Sequence, residues 1–213
     1  MRDAGWTELG TGDWSWVLGD PAASWAVRIT PFDPAYLLHA QACLEGPPNR
    51  WLPKVIAIQP LRRSGYATIM ERLWPANEAD AGNFCAVLGL GSDSGWEAPA
   101  ISSPVVQDPD LTALRDRISR LLTEGAERFG FWGGSDIRPG NVMQTADGQL
   151  KLIDPIFIQG KSIVEAIVTG RRRELADFTR RDLEDFLTIP VFSQGDETDK
   201  LKSRLAALFK AKR

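Results

Sequence analysis

The sequence predicts an α+β fold of two lobes: a small N-terminal antiparallel sheet with one helix, then a reduced, mainly helical C-terminal lobe. Three observations lead there. Residues 6–72 hold five short stretches rich in β-favouring residues, with one Ala/Leu-rich stretch between the third and the fourth. From Glu78 onward the apolar residues recur at helical spacing. One hairpin, carrying an Asn and an Asp, interrupts that helical half. The boundary falls near Trp74, which divides the chain into residues 1–74 and 75–213.

The first three strands are expected around Thr7–Gly10, Trp14–Leu18 and Trp25–Thr30. Gly10-Thr11-Gly12 and Gly19-Asp20-Pro21 supply the turns between them. A helix is expected over Pro34–Leu44, capped by Asp33 with Pro34 at the first helical position, and stopped by Gly46-Pro47-Pro48. Strands Lys54–Gln59 and Tyr66–Arg72 complete the sheet. Glu78–Leu90 reads as a helix and Gly91–Gln107 as a polar connection. Asp110–Phe129 is an amphipathic helix with Leu111, Leu114, Ile118, Leu121 and Leu122 on one face. After the hairpin, helices are expected over Ser162–Thr169, Arg172–Leu187 and Asp199–Lys210.

The composition excludes several classes. A hydrophobic content of 43% in 213 residues is ample for a core. A net charge of −3 argues against a nucleic-acid surface. Residues 1–160 carry 13 Lys/Arg and 19 Asp/Glu, so the final 53 residues are basic, with Arg171-Arg172-Arg173 and Lys210-Ala211-Lys212-Arg213 among them. Such runs are either solvated helix faces or a place for an acidic docking partner. Cys43 and Cys85 lie in apolar helical stretches and read as core residues rather than as a disulfide or a metal pair. No apolar run approaches membrane-spanning length and no signal-like segment opens the sequence, which fits a cytoplasmic setting without membrane partners. With His39 as the single histidine, histidine-based metal sites and Ser-His-Asp hydrolysis have little to work with.

The chemistry concentrates in Ser135-Asp136-Ile137-Arg138-Pro139-Gly140-Asn141-Val142-Met143 and Leu152-Ile153-Asp154-Pro155. Asn141–Met143 and Leu150–Ile153 are strand-like, and Asp147-Gly148 lies in the turn between them. An Asp on a loop, an Asn five residues on and a second Asp at the far end of a hairpin suit phosphoryl transfer. The first can take a hydroxyl proton, and the other two can ligate the Mg²⁺ that neutralises ATP phosphates. The same residue types also occur as plain turn and strand-end residues.

With these elements in order, the chain resembles the protein-kinase-like superfamily over residues 7–158. It is nearest in feel to compact phage-type serine/threonine kinases and to aminoglycoside phosphotransferase-like kinases. Gly10-Thr11-Gly12-Asp13-Trp14-Ser15-Trp16-Val17 resembles the glycine-rich phosphate loop, with Ser15 in place of the third glycine. Trp25-Ala26-Val27-Arg28-Ile29 resembles the V-A-I-K strand, with Arg28 in place of lysine. The resemblance implies a helix carboxylate for Arg28, for which Glu45 is the choice, with His39 and Gln41 more central on the helix. It also implies that backbone groups near Glu71 and Leu73 hold adenine. Asp136 matches the catalytic aspartate, Asn141 and Asp154 the metal ligands, and Arg138 a residue near the γ-phosphate. Gly134 stands where the family has histidine, and D-F-G reads Asp154-Pro155-Ile156.

What the resemblance implies is ATP- and Mg²⁺-dependent transfer to a hydroxyl acceptor, foremost a protein serine or threonine. A pseudokinase acting by docking and a kinase of small molecules are the alternatives. For the latter, Asp93, Glu97, Asp108 and Asp110 would contribute to the acceptor pocket. The short stretch after Asp154 leaves no room for a phosphorylated activation segment.

Overall fold

The computed structural model describes residues 5–62, 64–95, 97, 108–192 and 196–210. Most of the expected connection Gly91–Gln107 and the end of the basic tail, residues 211–213, lie outside them. Five strands, β1 (Thr7–Thr11), β2 (Trp16–Gly19), β3 (Trp25–Thr30), β4 (Val55–Pro60) and β5 (Tyr66–Glu71), form one sheet in the order β1-β2-β3-β5-β4. Every neighbouring pair is antiparallel. Helix α1 (Pro34–Glu45) lies between β3 and β4 in sequence and packs against β4. Asp33 caps it as expected, its carboxylate accepting the Tyr36 N–H at 3.0 Å, and Pro34 fills a first-turn position where no N–H is needed.

The second half opens with the short strand β6 (Trp74–Pro75) and helices α2 (Glu78–Leu88) and α3 (Pro109–Arg128). Asn77 and Asp108 cap the two helices with side-chain oxygens. On α3 the expected stripe is buried at Leu111, Leu114, Ile118 and Leu121, with Leu122 half-buried beside it. Arg117 on the same helix is also buried, donating to the carbonyls of Ala42 and Pro47 and so tying α3 to the end of α1. Three short strand pairs follow. β7 (Trp132–Ser135) pairs with β10 (Ile156–Ile158), β8 (Val142–Gln144) with β9 (Leu150–Leu152), and β6 with β8. Helices α4 (Gly160–Thr169), α5 (Arg180–Phe186) and α6 (Asp196–Lys210) complete the lobe. Among the described residues no helix is long and apolar enough to cross a membrane.

Two expectations need correction. The helix expected over Arg172–Leu187 is only Arg180–Phe186, because residues 172–178 form consecutive turns. Thr179 then starts a new helix through a reciprocal cap with Asp182, a device that ends whatever precedes it. The β7/β10 pair is absent from the sequence reading, since Trp132-Gly133-Gly134-Ser135 shows no alternation. Its glycines are there for packing: a Cβ on Gly133 would sit 2.4 Å from the Phe157 ring.

Two apolar clusters hold the loop at residues 136–141 and the hairpin after it from below. Ile137, Val142 and Leu152 are buried with Leu88, Leu114 and Ile118 of α2 and α3. Ile156 and Ile158 are buried with Phe32 and Leu38 near α1 and with Ile163, Phe178 and Phe186 of the helical lobe. Cys85 is buried and Cys43 half-buried, both as free thiols. Burial pushes both up to about 12, so neither is a reactive thiolate.

Candidate active site

A cavity of about 580 Å³ lies between the sheet and the helical lobe, within the range of small-molecule and cofactor sites. Gly10, Gly12 and Arg28 line it from the sheet, Glu71 and Leu73 from the strand leading to the second half, and Asp136, Arg138, Asn141 and Asp154 from the loop and hairpin. These are nine of the residues singled out from sequence. The other two do not line it. Thr11 is exposed and bonds back to Glu8. Glu45 is exposed at the end of α1 and is not a partner of Arg28, so the assignment of Glu45 is corrected here.

The carboxylates that Arg28 finds are Asp33, close by in sequence, and Asp154. Arg28 is buried in mid-sheet, opposite Val17 and Thr68, with its guanidinium 3.5 Å above the centre of the Tyr36 ring. Nη2 lies 3.4 Å from Asp33 and Nη1 donates to Asp154 at 3.1 Å. Asp33 therefore caps α1 with one oxygen and pairs with Arg28 through the other. The sequence signal for the cap hides the second use. Burial works against the charge on Arg28, but Asp154, Tyr36 and Asp33 together more than reverse this and hold it protonated.

Burial, reinforced by the nearby Asp154, pushes Asp33 up to about 7 against the pull of Arg28. It pushes Asp154 upward too, again opposed by Arg28, although 26% of the Asp154 side chain remains exposed. The folded state thus holds the Asp33 proton more tightly than the unfolded chain does. This contribution is fully present below the ordinary value of 3.8 and is lost as pH rises through about 7. Asp33→Asn is accordingly expected to make the slope of folding stability against pH more positive between pH 4 and pH 7, measured by urea denaturation of both proteins at several pH values. A slope equal to that of the unsubstituted protein would show that Asp33 does not titrate in this window. His39 acts in the opposite sense: burial and then the charges of Arg28 and Arg117 lower it to about 3, so the unfolded chain takes up its proton first and stability falls as pH drops below the ordinary value of 6.5.

Below Arg28 the loop and hairpin converge on Asn141. Its side-chain nitrogen lies 2.7 Å from the Asp136 carbonyl, 2.8 Å from Asp136 Oδ2 and 2.8 Å from the Asp154 carbonyl. Two hydrogens serve three acceptors, so one is shared, and the Asn141 carbonyl oxygen is left as a ligand atom. Asp136 Oδ1 accepts from Arg138 Nε at 2.9 Å, and the Asp136 N–H donates to the Pro155 carbonyl at 2.8 Å. Among the described residues no group of three or more His, Cys, Asp or Glu is placed to hold a metal. The donor set of Asn141 and Asp154 nevertheless suits Mg²⁺, which uses one or two protein oxygens and completes its shell with phosphate and water.

The loop between β1 and β2 is seated on the helical lobe. Gly12 N–H donates to the Ser15 carbonyl, and the Asp13 carbonyl accepts the Val191 N–H at 3.2 Å. The Trp14 ring packs 5.6 Å from Phe186 and 6.4 Å from Phe32, in a space that a Cβ on Gly160 would enter. Ser15, at the place of the loop's third glycine, lines the cavity, as do Trp14, Asp33 and Tyr36, which the sequence did not single out as site residues.

Other expectations fare differently. Asp108 and Asp110 pair with Arg50, Asp108 caps α3, and none of Asp93, Glu97, Asp108 and Asp110 lines the cavity. In the basic segment, Arg171 pairs with Glu165 and Glu174, and Arg172 lies over Phe209. These contacts within the chain engage two cations of the Arg171-Arg172-Arg173 run. After Asp154 the chain goes straight into β10, which leaves no separate activation segment.

The five-stranded sheet with its one helix, the hairpin and the cavity between them make a protein-kinase-like fold. No family model and no curated protein matches the chain. Among solved structures it is similar to the aminoglycoside phosphotransferase APH(4)-Ia in a ternary complex with AMP-PNP and hygromycin B, at 14% identity and a TM-score of 0.34, covering 98% of this chain and 95% of that one. It is also similar to an apo pseudokinase, at 8% identity and a TM-score of 0.39, covering 97% and 92%. A third is the aminoglycoside phosphotransferase APH(3'')-Id from Streptomyces rimosus, at 11% identity and a TM-score of 0.35, covering 97% and 93%.

Proposed function

We propose that this chain is an ATP-dependent phosphotransferase, with residues 1–74 as the nucleotide-binding lobe and residues 75–213 as the lobe that carries the chemistry. The observation behind this reading is the hydrogen-bonded cluster of Asp136, Asn141 and Asp154, joined to Arg28 through Asp154 and lining one cavity with it. ATP would lie between the lobes, with adenine near Glu71 and Leu73 and the phosphates under the backbone of Gly10 and Gly12. Arg28 would contact the phosphates from the sheet, its planar fork suiting oxyanions. Asn141 and Asp154 would hold Mg²⁺, which when bound supplies charge compensation at the phosphate oxygens. Asp136 would orient the acceptor hydroxyl and take its proton as the new O–P bond forms and the bond to the ADP leaving group breaks. Arg138, on the same loop, would offset charge on the transferred group. A protein serine or threonine is the first acceptor to try and a small-molecule hydroxyl the second.

A second reading has its own observation. Arg28 bonds directly to Asp154, the carboxylate that a metal would need. A chain that keeps this pair when nucleotide is present would bind without transferring, as a docking protein does. Calorimetric titration with ATP, with and without Mg²⁺, on the unsubstituted protein and on Asp154→Ala separates the two. Phosphotransfer predicts Mg²⁺-dependent binding that disappears in the variant. Binding indifferent to Mg²⁺ favours the second reading, and no binding at all removes the nucleotide from both.

A further inference from the structure

We propose that Asp93, from the connection between α2 and α3, is the residue that positions the catalytic loop. This rests on the phosphotransfer reading of Asp136. The Asp93 N–H donates to the Ser135 carbonyl at 2.8 Å, and Asp93 Oδ2 accepts the Ser135 N–H at 2.8 Å. Ser135 is buried and immediately precedes Asp136. Its other neighbour is β10, where it lies opposite Ile156. The residue before Asp136 is therefore gripped from two sides, by a strand and by one carboxylate brought from 42 positions away in sequence.

The grip explains the glycine. Gly134 has φ +95, a conformation that L side chains rarely adopt, and a Cβ there would lie 2.3 Å from Asp93 Oδ2 and 2.9 Å from its Cγ. A histidine at that position would expel the carboxylate. Gly134 and Asp93 thus form a matched pair, and the glycine is a condition for a different way of fixing the loop. Asp93 does not line the cavity and touches none of the reacting groups, so it is a positioning residue. Its effect would reach the chemistry through the placement of Asp136, where a shift of about 1 Å can cost about 10²-fold in rate.

The test uses the full chain with Mg²⁺·ATP and water as acceptor, and compares Asp93→Ala with Asp93→Asn. The amide of Asn keeps a carbonyl oxygen that can accept the Ser135 N–H. Asp93→Ala should lower kcat by about 10²-fold while the ATP KM and calorimetric affinity stay near those of the unsubstituted protein, and Asp93→Asn should restore most of the rate. Hydrogen exchange at residues 133–137 should accelerate in Asp93→Ala and return to normal in Asp93→Asn. An unchanged kcat in Asp93→Ala, or an affinity that falls in step with kcat, would overturn the proposal. If the unsubstituted protein neither binds nor hydrolyses ATP, the phosphotransfer reading fails instead. Exchange alone then decides whether Asp93 holds the loop: acceleration in Asp93→Ala reversed in Asp93→Asn supports it, and identical exchange in all three proteins refutes it.

Discussion

Asp136→Asn is expected to lower phosphoryl transfer by about 10²- to 10⁴-fold, the range for loss of a general base, while Mg²⁺·ATP binding stays close to that of the unsubstituted protein. Both carboxylate oxygens of Asp136 are engaged, Oδ1 by Arg138 and Oδ2 by Asn141. Replacing one oxygen by an NH₂ sets a donor against one of those two donors and removes the proton acceptor, yet it hardly changes volume. The fold should survive because Ile137, the neighbour that anchors this loop in the core, is untouched. Steady-state rates together with calorimetric titration decide the point. Turnover near that of the unsubstituted protein would remove Asp136 from its assigned role.

The second large effect is expected at Arg28. Arg28→Met keeps much of the buried volume but leaves Asp33 and Asp154 without their shared cation. Breaking a buried ion pair by deleting one partner costs about 3–5 kcal/mol, and the lower end applies here because Asp154 is 26% exposed. The loss should be larger at pH 8 than at pH 5. At the lower pH Asp33, which burial pushes up to about 7, takes up a proton and no longer needs a cation. Urea denaturation at the two pH values measures this, and a loss below about 1 kcal/mol at pH 8 would mean that the two carboxylates are solvated rather than paired. Arg28→Lys is the informative companion. It retains the charge but has no fork with which to reach Asp33 and Asp154 together.

Much of the arrangement was legible in the residue pattern. The five strands and α1 were read within a residue or two because turn glycines, a Pro at the first helical position and bulky β-formers are local signals. The buried stripe of α3 followed from its spacing. The β7/β10 pair was invisible because Gly133 answers to the Phe157 ring, a contact between residues 24 positions apart. The overlong helix at Arg172 failed for a related reason, since apolar spacing alone does not show that Leu175 and Phe178 bury themselves from turns.

The sequence by itself determined the chemical inventory: which Asp, Asn and Arg side chains were available, on which loop and hairpin, and that two lobes would carry them. Only the tertiary structure decided the partners. It chose Asp33 over Glu45 as a carboxylate for Arg28, seated Trp14 on the helical lobe, and brought Asp93 to Ser135. The physical reason is the range of the forces. Turns, caps and periodicity are settled by neighbours a few residues apart. The pairing of a buried charge or a buried N–H depends on which groups the packed core carries to within about 3 Å of it, and no local pattern records that distance.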